Sequence, residues 1–214
     1  VMTDSPDERG IDVALMYQPF SFSLLRSWSI RVKRLPDTCP TRDILYVSGR
    51  VITGDTLHVF VVHAPSRRGG ERESRPYRLH VASQLAEAVD SIYALQSGAK
   101  IIVAGDFNDY HDSPALEYLY QHHLVNISAG ARGSHGAKAT YRWRGEWRSL
   151  DQILCSPSLT SSKQECKIGD LPFLLEDDEK YGGKKPYRTY LGPRYLGGYS
   201  DHLPLVVRIQ IDDK

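Results

Sequence analysis

The sequence predicts an α/β (α+β) fold in which mixed sheets form a sandwich with helices on the outside. Three observations carry this. Strand-like runs are many, while only about two helical segments of useful length can be found. Some runs are joined by hairpin turns and another follows a long helical segment, so antiparallel and parallel pairing should coexist. Finally, an apolar run stops at a polar cluster in IIVAGDFND (101–109), and another begins after one in SDHLPL (200–205). Strands of α/β folds present reactive groups at one rim of the sheet in this way.

The elements follow in order. Residues 11–17, IDVALMY, read as a nearly continuous apolar strand closed by Pro19. WSIRVKR (28–34) alternates and should be half-exposed. DILYVSGRV (43–51) and TLHVFVVH (56–63) are β-branched runs joined at Thr53-Gly54-Asp55, a hairpin turn. After the polar stretch APSRRGGERES, a helix is expected over 76–97, with Leu79, Ala82, Ala86, Val89 and Tyr93 on one face and Gly98 as its stop. Residues 100–104 form the next buried strand, and Ser113-Pro114 opens a short helix to Tyr120. ATYRWR (139–144) and WRSLDQILC (147–155) flank Gly145-Glu146 as a second hairpin; 176–198 should be a long charged, Gly-rich surface loop, and 204–211 the last strand.

The 214 residues suit one well-cored domain, with no internal repeat or low-complexity linker, so residues 1–214 are read as a single domain. A net charge of +1 excludes a global pull onto nucleic acid or anionic membrane, so any anion binding must be local. No apolar stretch approaches the ~18 residues of a membrane span. Cys39, Cys155 and Cys166 lack CxxC spacing, which argues against zinc and against a disulfide framework; small buried hydrophobes are the ordinary reading, with a single bridge left open.

Asp106 and Asn108 occupy alternate positions past a strand and can face the same side. The Asp can hold a metal or take a proton from water, and the Asn can hold the Asp and a phosphoryl oxygen; an ordinary Asp/Asn turn is the alternative. Asp201 and His202 offer a hard anionic oxygen and a group that titrates near neutrality, or simply a cap beside a surface histidine. His63 closes a hydrophobic strand, at a sheet rim or as a satisfied core residue. Asp151 interrupts a strand-like segment, where an acid is costly unless a histidine or metal pairs with it or it faces water on an edge strand. Arg67, Arg68, Arg72 and Arg75, and later Lys184, Lys185, Arg188 and Arg194, could contact phosphate or form solvated loops.

In order, HAPS (63–66), GDFN (105–108), LDQIL (150–154) and SDHLPL (200–205) resemble the endonuclease/exonuclease/phosphatase family. The surrounding strings SPDERGIDVALMYQP and RTYLGPRYLGGYSDHLPL are similar to its uncharacterised bacterial branch, over nearly the whole chain. The resemblance implies a four-layer α/β/β/α sandwich of two mixed sheets, with Mg²⁺ (or Mn²⁺) at the rim between them and in-line attack of water on phosphorus. It implies Asp106 as the group that orients or deprotonates water, with Asn108 holding both water and phosphate. His202 paired with Asp151 would stabilise phosphoryl oxygens or shuttle a proton. Asp201 would join Asp106 as a metal ligand, His63 would lie near the phosphate, and Arg67 and Arg68 would touch it. The substrate class implied is a phosphodiester, in particular nucleic acid. A sugar, inositol or lipid phosphomonoester, or a non-catalytic binding module, are the alternatives. Family members carry an Asn strand and a metal-binding Glu upstream of the segment matching IDVALMY, and Glu8 does not match that Glu. The chain is therefore expected to be N-terminally incomplete, lacking strands of one sheet and possessing little activity alone. A start at Val1 fits a processed or trimmed chain, and a cytoplasmic or secreted bacterial setting both remain open.

Overall fold

The structure, a computed structural model, describes residues 1–160 and 164–211. In chain order it comprises β1 (Phe22–Ile30), β2 (Ile44–Val51), β3 (Thr56–His63), α1 (Glu71–Leu95), β4 (Lys100–Asp106), α2 (Pro114–Gln121), β5 (Val125–Asn126), β6 (Tyr141–Trp143), β7 (Glu146–Arg148) and β8 (Asp151–Cys155). There follow α3 (Pro157–Thr160), β9 (Gln164–Ile168), a 3₁₀ turn at Pro172–Leu174, β10 (Leu175–Asp177), β11 (Lys184–Pro186), β12 (Tyr190–Leu191), β13 (Arg194–Tyr195) and β14 (Leu205–Ile209).

The main sheet has the order β1-β2-β3-β4-β8-β5. It is mixed, as expected: β3 and β4 run parallel because α1 connects them, and every other neighbouring pair is antiparallel. Alternation along β4 explains the layers. Ile101 and Val103 are fully buried under α1 and α2, beside Phe60, Leu85, Val89, Leu116 and Leu119. Ile102 and Ala104 face the other way, with Leu57, Ile153 and Cys155, onto Cys166, Leu205, Val207 and Ile209 of the antiparallel pair β9–β14. Both faces of one strand are thus core, which is why 101–104 is apolar without interruption. Each fully buried Ile or Val here contributes on the order of 1.5–3 kcal/mol. The three cysteines are free; Cys155 and Cys166 act as small hydrophobes in this inter-sheet layer, while Cys39 is exposed.

Several elements differ from expectation for identifiable reasons. Residues 11–17 form no strand: one bridge, Met2 to Ala14, joins two extended segments, and side-chain bonds take over, with Asp12 accepting from Thr3 Oγ1 and Ser5 N, both at 2.7 Å. β1 begins at Phe22 rather than at 28, because its length is set by antiparallel pairing along the whole of β2. α1 begins a turn and a half before Pro76, held there by Glu71, which binds Arg75 and Arg78. Its buried face is Tyr77, Arg78, Val81, Ala82, Leu85, Ala86 and Val89, and Leu79 is exposed. The second hairpin turns at Arg144-Gly145, both at positive φ, and only Glu146–Arg148 of its return run pairs with β6; β8 leaves to lie between β4 and β5. The 176–198 stretch contains two short ribbons, β10–β11 and β12–β13, the first pinned by Lys184–Asp177 and Lys185–Glu176 ion pairs across the strands.

Candidate active site

Strand register builds the site. His63 at the end of β3 lies beside Asp106 at the end of β4, and Asp106 lies beside Asp151 at the start of β8. Three adjacent strands therefore deliver three polar side chains in one row across the sheet. Gly105 permits this: it sits at φ +148°, and a Cβ there would stand 1.8 Å from the Val62 carbonyl oxygen. The chain then turns sharply. Asn108, at φ +49°, takes the left-handed conformation that Asn tolerates. Its backbone N–H donates to Asp106 Oδ1 at 2.7 Å, and its side-chain amide donates to Asp106 Oδ2 at 3.2 Å and to the Ala64 carbonyl at 3.1 Å. Arg42 braces the same corner from below, donating to the carbonyls of His63 and Ala64 while paired with Asp7.

His202 arrives from the opposite end of the chain. It bridges to Tyr141, packs its ring 4.9 Å from that tyrosine, and lies with Nδ1 2.8 Å from Asp151 Oδ2. Burial would push this imidazole down, but the hydrogen bond and charge of Asp151, with help from Asp106 and Asp201, raise it to about 9. It is therefore cationic at neutral pH, and Nδ1–H is the donor to Asp151. Asp106 rises to about 6, through burial first and the Asp151 charge second. His63 falls to about 4, through burial and then the Arg42 and Arg9 charges. The 3.5 Å approach of His63 Nε2 to Asp106 is accordingly no ion pair at pH 7 but a neutral imidazole beside a carboxylate.

One oxygen each from Asp106 and Asp151 and one nitrogen of His202 lie within 4.8 Å of one another. The two carboxylates suit a hard divalent cation such as Mg²⁺, as a partial shell that water and a phosphate oxygen would complete. His202, protonated and bound to Asp151, is a poor ligand. Asp201, expected as a ligand, is exposed and lines the same cleft but lies outside this three-residue group.

One cleft of about 910 Å³ is lined by His63, Arg67, Arg68, Asp106, Asn108, Asp151, Asp201 and His202. Arg72, Arg75, Lys184, Lys185, Arg188 and Arg194 do not line it, and Arg75 is taken up by Glu71. The sequence reading missed Arg9, Tyr110, Tyr141, Trp143 and Arg148, which also line it. Tyr110 directly follows GDFND and Arg148 lies three residues before Asp151, so proximity to the motifs was the available signal.

The sequence profile of the Endonuclease/Exonuclease/phosphatase family matches residues 1–211. The chain belongs to this family. No curated protein matches it in sequence. Among solved structures, a functionally unknown conserved protein from Enterococcus faecalis is similar at 17% identity and a TM-score of 0.65, covering 99% of this chain and 76% of its own. A Bacteroides thetaiotaomicron mannosyl-6-phosphatase is similar at 17% and 0.60, covering 91% and 69%. The human nocturnin catalytic domain, solved with a sulfate anion, is similar at 20% and 0.55, covering 89% and 61%, so the chain spans under two thirds of that domain's length. At these identities the likeness establishes the fold, which is that of the α/β sandwich family.

Proposed function

We propose that the protein is a divalent-cation-dependent hydrolase of phosphodiester bonds, acting as a nuclease. One observation carries the reading. Asp106, Asn108, Asp151, His202 and His63, drawn from four separated motifs, meet at one rim in a cleft that also holds Arg67, Arg68, Arg148 and the rings of Tyr141 and Trp143. Basic and aromatic groups interleaved in this way suit a phosphate backbone with flat bases.

Asp106, with its value raised toward neutrality, accepts a proton from the attacking water, and Asn108 fixes the carboxylate that does so. The water oxygen bonds to phosphorus as the bond to the leaving oxygen breaks on the far side. Asp151 holds His202 by Nδ1, which leaves Nε2–H free to donate to a phosphoryl or leaving oxygen. Neutral His63 can donate a hydrogen bond to a second phosphoryl oxygen. Asp106 and Asp151 would hold the cation, which supplies neutralisation of charge on the phosphoryl oxygens. We read residues 1–214 as one domain of this activity.

Phosphomonoester hydrolysis is the second reading, favoured by the mannosyl-6-phosphatase among the structural neighbours. The test is a panel of plasmid DNA, single-stranded DNA, RNA, a model diester and sugar or inositol phosphates, incubated with the complete gene product and Mg²⁺. Turnover of the diesters supports the proposal; turnover confined to monoesters supports the second reading; no turnover leaves a binding module and contradicts both.

A further inference from the structure

Behind Arg67 lies a chain of charges that hydrolysis at Asp106 does not require. Arg78 has a side chain with 0% exposure; its Nε donates to Asp109 Oδ2 at 2.9 Å, and its Nη2 to Glu71 Oε2 at 2.8 Å. The same Glu71 oxygen takes Arg67 Nη2 at 2.5 Å. Ser74 Oγ receives the remaining arm of Arg78 at 2.7 Å. A charge sealed in the interior in this way persists only when it is paired and hydrogen-bonded, and each of the three Arg78 side-chain nitrogens has a partner. Its effect is to hold Glu71, and Glu71 in turn fixes Arg67.

Tyr110 completes the arrangement from the other side. The Arg67 guanidinium lies over its ring, 4.5 Å from the centroid, and its hydroxyl accepts from Arg148 Nη1 at 2.7 Å. One tyrosine thus carries two guanidinium groups, one on its face and one at its tip, and both arginines line the cleft. Charge in this network does not balance. Arg67, Arg75, Arg78 and Arg148 stand against Glu71 and Asp109. Arg148 has no carboxylate partner among the described residues, and Arg67 Nη1 is buried without any hydrogen-bond partner. Nη1 itself is closed off, so what an anion in the cleft meets is the surplus charge of Arg67, whose side chain keeps 26% exposure, and of the exposed Arg148.

We propose that Arg67 and Arg148, joined by Tyr110, form a second anion subsite beside the reacting centre, which takes a phosphate group other than the one being cleaved. Glu71, Arg78 and Asp109 are positioning residues for it. The subsite rests on the phosphoesterase reading and narrows it: the substrate carries at least two phosphates, as a polynucleotide strand does and as a multiply phosphorylated sugar does.

The experiment is calorimetric binding in chelator, so that nothing turns over. The probes are a nucleoside 3′,5′-bisphosphate against its 5′-monophosphate, and fructose 1,6-bisphosphate against fructose 6-phosphate. The wild type is expected to bind the bisphosphate about tenfold more tightly in at least one pair, the order of one charge-assisted contact. A gain in the nucleotide pair alone identifies a polynucleotide, and a gain in the sugar pair alone a sugar phosphate. A gain in both shows that the subsite reads the phosphate whatever its carrier. Arg148→Gln and Tyr110→Phe should each bring the ratio close to one, while Arg50→Gln, which removes an equal charge on an exposed part of β2 away from the cleft, should keep it. No gain in either pair, or a gain that survives both cleft variants, overturns the subsite. A gain that is lost in those variants, in a protein that hydrolyses no phosphate ester, leaves the subsite standing and refutes the hydrolase reading instead.

Discussion

Asp151→Asn should change the charge of His202 without moving it. Asparagine is nearly isosteric, and its side-chain oxygen can still accept from Nδ1. What disappears is the carboxylate, whose hydrogen bond and charge are the two largest influences that raise His202 to about 9; burial, the largest influence overall, acts downward and then dominates. The ring should fall to its ordinary 6.5 or below. Lowering the value from about 9 to 6.5 removes roughly 3 kcal/mol of preference for the charged ring. At pH 7.5 the protonated fraction drops from more than about 95% to about 10%. The assay is an NMR titration of histidine ring resonances in chelator, with His202 assigned by its loss in His202→Gln. A wild-type His202 that titrates near 6.5, or an Asp151→Asn His202 that still titrates near 9, would refute the electrostatic argument for the pair.

Other outcomes follow from the same geometry. With Mg²⁺ and a diester, kcat/KM should be bell-shaped, with an acid limb at or below about 6 from Asp106, because a cation favours its carboxylate, and an alkaline limb near 9 from His202; an alkaline limb that persists in His202→Ala would contradict the assignment. Gly105→Ala should cost roughly 2–5 kcal/mol in urea unfolding, since its Cβ meets the Val62 carbonyl at positive φ, whereas Gly98→Ala, with open space around it, should be close to neutral. Asp170 accepts backbone N–H groups from Ser134, His135 and Ala137. Burial pushes its carboxyl up, but these bonds prevail and hold it below 3.8. Its contribution is thus full above pH 3.8 and is lost as pH falls through the lower folded value. Asp170→Asn should therefore destabilise by about 2–4 kcal/mol at neutral pH and flatten that acid dependence; an unchanged urea midpoint at pH 7 would argue against it.

Much of the site could be read in the sequence because strands end where apolar runs end. Residues 101–104 are apolar on both faces, so Asp106 had to emerge at a rim, and the same logic applies to His63 at the end of its strand; Asp151 stands out instead as an acid that interrupts a strand-like segment. What could not be read was lateral register. Nothing local says that His63, Asp106 and Asp151 align on three neighbouring strands, or that β8 leaves its hairpin to join the main sheet. The start of α1 was misplaced because Pro76 resembles a first-turn proline, while the true first turn is secured by Glu71 through arginines up to seven positions away. Residues 11–17 have the composition of a strand but, among the described residues, only a single bridge to pair with. Arg148 and Tyr110 were passed over since an isolated surface arginine and a loop tyrosine acquire meaning only when they touch.

The central claim is that Asp106 at this rim takes part in cation-dependent cleavage of phosphodiester bonds. It is tested most directly by single-turnover hydrolysis of a labelled DNA strand by the complete gene product, wild type against Asp106→Ala, in Mg²⁺ and in EDTA. The account predicts cleavage in Mg²⁺, its loss in EDTA and recovery on adding Mg²⁺, and a rate for Asp106→Ala lower by roughly 10²–10⁴-fold with the protein still folded. Cleavage undiminished in EDTA, or an Asp106→Ala protein that is folded and cleaves at the wild-type rate, would contradict it.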